Sequence, residues 1–152
     1  MSTAQRNDAC LIAVDPELGD ILRRQTLIVL EAHHHYFEDL LDFNPQAQYA
    51  LSVIYRDAFA VLDTLGWSPD PDAPTIDVPL TAGHIIQLRR RLQDHRHTNL
   101  DRLATRDRQT DPDEIAALDA QIDADRLAAQ GLETLFGVWQ GMCEHVTEEP
   151  TR

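Results

Sequence analysis

Between Ile115 and Val146 apolar residues recur at steps of three and four: Ile115, Leu118, Ile122, Ala129, Leu132, Phe136, Trp139, Cys143 and Val146, with Asp125 in the one polar place of the series. Such spacing keeps one stripe of an α-helix turned toward its neighbours, as knobs-into-holes packing requires. A second stripe runs Ile85, Leu88, Leu92, His95, Asn99, Leu103, and a third Leu18, Leu22, Val29, Ala32, Tyr36, Leu40, Phe43. No stretch of period two is long enough to predict a strand.

The helix starts carry their own signals. Asp15-Pro16, Asn44-Pro45 and Asp111-Pro112 each set a capping side chain before a proline at the first helical position, where the missing N–H is no loss. Thr81 opens the remaining helix. The pattern predicts helices over about 16–42, 45–65, 81–106 and 112–146, with loose tails at 1–8 and 147–152. Short links at Phe43-Asn44-Pro45 and Asp107–Asp111 make the joined helices antiparallel neighbours. Between the second and third helices, four of the eight prolines fall between residues 69 and 79, which predicts an extended connector. The expected fold is a single all-α domain: an up-down antiparallel four-helix bundle with a Pro-rich connector between helices 2 and 3. Two helical hairpins exchanged between protomers would use the same signals.

A chain of 152 residues can bury a core without staples. Its net charge of -13 argues against nucleic acid or anionic lipid as a partner. The apolar run Ala9–Val14 is too short to cross a membrane and lacks the basic flank of a good signal peptide, so a cytoplasmic location is expected. Cys10 and Cys143 lie in apolar surroundings and read as free, buried thiols, with a bridge between them as the alternative. All thirteen basic residues are Arg, which excludes a Schiff-base lysine. Glycine-rich phosphate loops, a nucleophile elbow and Cys–His zinc spacing are all absent, so no cofactor is expected.

Candidate chemistry lies where the helical pattern breaks. Folding the third helix back on the fourth sets His95 within about one turn of Asp125. The same operation at the other turns brings Tyr36 and Tyr55 to a similar level. Tyr36, Tyr55, His95, Asn99 and Asp125 then form a polar layer, either a network that fixes register or a ligand site. A second break, Glu31-x-x-His34, is half of a di-iron carboxylate motif, and Asp94-x-x-His97 is a degenerate relative. Asp57 and Asp123 could supply bridging carboxylates, although Glu31 and His97 point away from their helices' core stripes.

The first helix has a second apolar stripe, Leu27, Leu30, His34, Phe37, Leu41, and a helix apolar on two sides predicts an interface. On the outer face of the last helix Gln130, Thr134, Gly137 and Gly141 are small or short at helical spacing, as close approach of another helix would favour. Together these predict a homodimer that acts by protein–protein interaction, as an adaptor, regulator or inhibitor. The alternatives are a bundle enzyme or a ligand or metal carrier using a His/carboxylate cluster, and an acidic mimic of nucleic acid. Arginines on helix 3 (Arg89, Arg90, Arg91, Arg96, Arg102, Arg106) face acids that begin helix 4, and mutual neutralisation across the hairpin is the expected result.

Overall fold

The computed structural model describes residues 9–40, 45–66 and 74–144, with the side chains of 35–40 and 143–144 outside that description. The chain order is β1 (Cys10–Val14), α1 (Pro16–Leu40), α2 (Pro45–Leu65), β2 (Ile76–Leu80), α3 (Ala82–Arg108) and α4 (Pro112–Trp139), the last continued by a π-helical turn over Gln140–Glu144. The expected tails, 1–8 and 147–152, lie outside the described residues. Four helices stand where the capping signals put them. The Asp15 carboxylate accepts from the Leu18 amide at 2.7 Å, Asp111 accepts from Asp113 at 3.0 Å, and Thr81 accepts from His84 at 3.1 Å. Each satisfies one of the amides that a helix start leaves unpaired. Gly66 ends α2 with φ of 80°, a left-handed conformation that suits glycine.

The two strands correct the expectation of a strand-free chain. They pair antiparallel, Cys10 opposite Leu80 and Val14 opposite Ile76. Their inner face, Ile12, Val14, Val78 and Leu80, is at most 2% exposed, while Leu11, Ala13 and Asp77 face outward. Each strand is only five residues long, so its period-two pattern is brief, and β2 lies inside the proline-rich connector. Pro79 is tolerated because in a two-stranded sheet both strands are edges. The sheet also places Cys10 against the core, where it is disulfide-bonded, which corrects the expectation of free thiols there. The second cysteine, Cys143, has its side chain outside the described residues.

The core gathers the inner sheet face with Leu22 and Val29 of α1, Val61 of α2, Ile85, Leu88 and Leu92 of α3, and Leu132, Leu135, Phe136 and Trp139 of α4. Two sequence-predicted core positions differ: Ala32 is exposed, and the buried places between Leu22 and Val29 are Gln25 and Thr26. No residue from Gln93 to Gln121 is buried, so the far end of the α3–α4 hairpin has no core of its own. Partly buried Leu103, Ile115 and Leu118 line its inner side, and Arg106 is hydrogen-bonded to Asp119 across it. No helix among the described residues is long and apolar enough to cross a membrane.

Helix α1 meets α4 at Gly131. A Cβ added there would lie 2.7 Å from Cδ1 and 2.9 Å from Cγ2 of Ile21, so the helices approach this closely only because residue 131 has no side chain. Gly131→Ala should therefore lower the unfolding free energy by about 1–3 kcal/mol through overpacking, against the gain of about 1 kcal/mol that alanine gives in an open helix. Urea denaturation of Gly131→Ala alone and combined with Ile21→Val checks this; the second change should restore part of the loss.

Candidate functional site

Asp125 sits on the core face of α4 and His95 on the facing side of α3. The antiparallel hairpin brings His95 Nδ1 to 2.9 Å from Asp125 Oδ1. The other carboxylate oxygen accepts from the Arg102 guanidinium. On its far side, His95 Nε2 lies 2.9 Å from Gln25 Oε1 of α1, and the same amide oxygen faces Arg91 Nε at 3.4 Å. That arginine can only donate, so it fixes which end of the Gln25 amide is oxygen. Both ring nitrogens of His95 thus have an oxygen within hydrogen-bond distance.

Burial gives this network its weight. The side chains of Asp125 and His95 are only 10% and 12% exposed, and that of Arg102 is 30% exposed. Partial desolvation of a carboxylate is costly unless fixed donors surround it. Two clefts flank the network. One, of about 370 Å³, is lined on α3 by Arg91, Asp94, His95, His97, Thr98 and Arg102. The other, of about 250 Å³, lies over Asn99, Ala129 and Gln130. The side-chain carbonyl oxygen of Asn99 is buried beside it with no hydrogen-bond partner among the described residues.

A second polar group lies deeper. His84 Nε2 and Thr26 Oγ1 are 3.0 Å apart, and the Thr81 hydroxyl donates to Asp57 Oδ2 at 2.8 Å. Arg56 donates to the other oxygen of Asp57 at 3.2 Å. Asp57 therefore holds a carboxylate at the start of α3, where the helix dipole favours negative charge. Burial pushes the His84 imidazole down to about 4, with Asp57 acting in the opposite sense. His84 Nδ1 has no hydrogen-bond partner among the described residues.

Of the residues expected in one polar layer, His95 and Asp125 are joined directly and Asn99 lines the smaller cleft beside them. Tyr55 packs edge-on against Phe59, ring centroids 6.4 Å apart, and lines neither cleft. The side chain of Tyr36 lies outside the described residues. Of the metal candidates, Asp94 and His97 both line the larger cleft. Asp57 is committed to Thr81 and Arg56, Asp94 to Arg91 at 3.0 Å, and Asp123 is largely exposed beside Arg126. Glu31, His34 and His97 are exposed. Among the described residues no three His, Cys, Asp or Glu side chains are grouped to hold a metal ion.

Gln25, Thr26, Arg91 and Arg102 complete the two networks; the arginines were expected only to neutralise acids across the hairpin, and Gln25 and Thr26 were not expected at all. A signal for two of them was present: Gln25 and Thr26 fill the place between Leu22 and Val29 where an apolar residue belongs. Arg91, His95, Thr98 and Arg102 also share three-and-four spacing on α3. The predicted neutralisation across the hairpin takes the form of Arg96–Glu133, Arg102–Asp125 and Arg106–Asp119.

No family model matches the chain, and neither the curated proteins nor the solved structures contain a match to it.

The depressed value at His84 has a consequence for stability. In the unfolded chain histidine binds a proton below about 6.5, whereas His84 in the fold stays neutral down to about 4. The unfolded state therefore holds more protons in that window. The contribution is fully present above pH 6.5 and is lost as pH falls toward 4, by roughly 3 kcal/mol. Denaturation midpoints measured from pH 7 to pH 4 should fall more steeply for the natural protein than for His84→Gln. Parallel curves would contradict the assignment.

Proposed function

We propose that the protein works by protein–protein interaction, with a second copy of itself as the first partner, and that its four helices form an up-down bundle whose outer α4 surface is the contact. The observation that carries this reading is the openness of that surface. Among the described residues a Cβ at Gly137 or Gly141 would meet nothing within 4 Å, and Leu127, Val138 and Met142 of the same helix are 58%, 37% and 49% exposed. Leu127, Thr134, Val138 and Gly141 recur at helical spacing, a pattern that suits a neighbouring helix. On α1, Leu27 and Leu30 are half-buried and His34 is exposed, which extends the apolar surface of the reading. Phe37 and Leu41, the other members of that stripe, lie outside the described side chains and residues.

Two observations weigh against the alternatives. His95 has both ring nitrogens engaged, which leaves neither free for proton transfer. The acids of α4 do not form an open ridge of phosphate-like charge, because Asp119 and Asp125 are paired with arginines of α3. The disulfide at Cys10 favours an oxidising compartment over the cytoplasmic setting expected from the sequence.

Sedimentation equilibrium of the purified protein at micromolar concentration should give a dimer. Leu127→Glu combined with Val138→Glu should give a monomer of unchanged helix content by circular dichroism. Gly137→Ala should weaken the dimer. If the natural protein sediments as a monomer and Gly137→Ala only raises its thermal midpoint, the α4 surface is simply solvated and the reading fails.

A further inference from the structure

The larger cleft beside His95 has an unusual balance of hydrogen-bonding groups. Its lining includes His97 and two carboxylates, each bonded to an arginine: Asp125 is held by His95 and Arg102, and Asp94 by Arg91 through one oxygen at 3.0 Å. The Gln25 oxygen beneath faces His95 and Arg91. Donor capacity is left over as well. Arg102 uses one terminal nitrogen on Asp125, and Arg91 uses Nε and one terminal nitrogen, so each guanidinium retains N–H groups with no partner among the described residues.

Thr98 points the same way. Thr64 and Thr105 bond their hydroxyls to the carbonyl one turn back, at 2.9 and 3.0 Å, as helical threonines commonly do. Thr98 makes no such bond, has no partner among the described residues, and lines the cleft half-buried. Arg91 and Arg102 are three turns apart on α3, yet both reach toward His95, one through Gln25 and one through Asp125. Thr98 stands between them on the same stripe.

Unspent guanidinium forks and a free hydroxyl, converging on a space of about 370 Å³, suit a compact ligand rich in acceptor oxygens. We propose that this cleft binds a small oxyanion of the carboxylate or phosphate class, held by Arg91, Thr98 and Arg102. The protein's net charge of -13 gives no long-range attraction to such a ligand, so recognition rests on these local donors. The site is separate from the outer surface of α4 and is independent of self-association.

Isothermal titration calorimetry of the full chain with inorganic phosphate, and separately with malonate, at matched chloride ionic strength tests the site. Saturable one-to-one binding of either anion is expected; phosphate alone assigns the phosphate class and malonate alone the carboxylate class. Thr98→Val, which keeps the side-chain shape, should weaken binding about ten-fold while leaving the circular dichroism spectrum and thermal midpoint unchanged. Arg91→Gln should weaken it further, and the Leu127→Glu/Val138→Glu variant should bind like the natural protein. No saturable heat with either anion up to tens of millimolar, or binding indifferent to both Thr98→Val and Arg91→Gln, overturns the proposal.

Discussion

The carboxylate of Asp125 stands where the apolar core stops. On one side lie Leu88, Leu92, Leu132 and Phe136; on the other, from Gln93 to Gln121, no residue is buried. A largely desolvated carboxylate at such a boundary is tolerable only with donors fixed around it, and His95 and Arg102 supply them. Through His95 the constraint reaches Gln25, so one acid sets the relation of three helices. A slip of α3 against α4 by one residue would turn His95 from Asp125 and leave both unpaired.

The two histidine networks show how burial divides the roles of one residue type. His84 is 1% exposed, bonded to Thr26 at one nitrogen and, among the described residues, to nothing at the other, and desolvation keeps it neutral. It joins the start of α3 to α1 within the interior. His95 sits at the rim, with acceptors on both sides and open clefts beside it. Only the rim network adjoins space for a ligand, and the arginines that complete it are the ones with donor groups to spare. The α4 surface proposed for self-association lies apart from the cleft proposed for an anion.

The helices were legible because their signals are local: an Asp or Asn before a proline marks three starts, and the 3-4 spacing identifies the buried stripe of α4. The contact between His95 and Asp125 was legible too, since a short turn between two helices makes register a matter of counting. The strands were not, because five residues of alternation are too few to outweigh a proline-rich setting, and their pairing joins segments separated by two helices. Cys10 followed the strand out of view. The close approach within the chain is at Gly131, against Ile21, a glycine that the helical spacing did not single out. Which glycine faces a neighbour depends on how α1 crosses α4, and helix spacing alone does not give that angle. Tyr55 was placed by level alone, without regard to which helix stands opposite, and so fell outside the network.

The claim on which the rest turns is that Asp125 and His95 act as one unit at the end of the core. A double-mutant cycle of Asp125→Leu and His95→Leu, read by urea denaturation at neutral pH, addresses it directly. Asp125→Leu alone should cost on the order of 3 kcal/mol, because it strands the donors of His95 and Arg102, and the double variant should cost clearly less than the sum of the two singles. Additive effects, with Asp125→Leu neutral or stabilising, would mean that the carboxylate is merely tolerated and that the register of the three helices is set elsewhere.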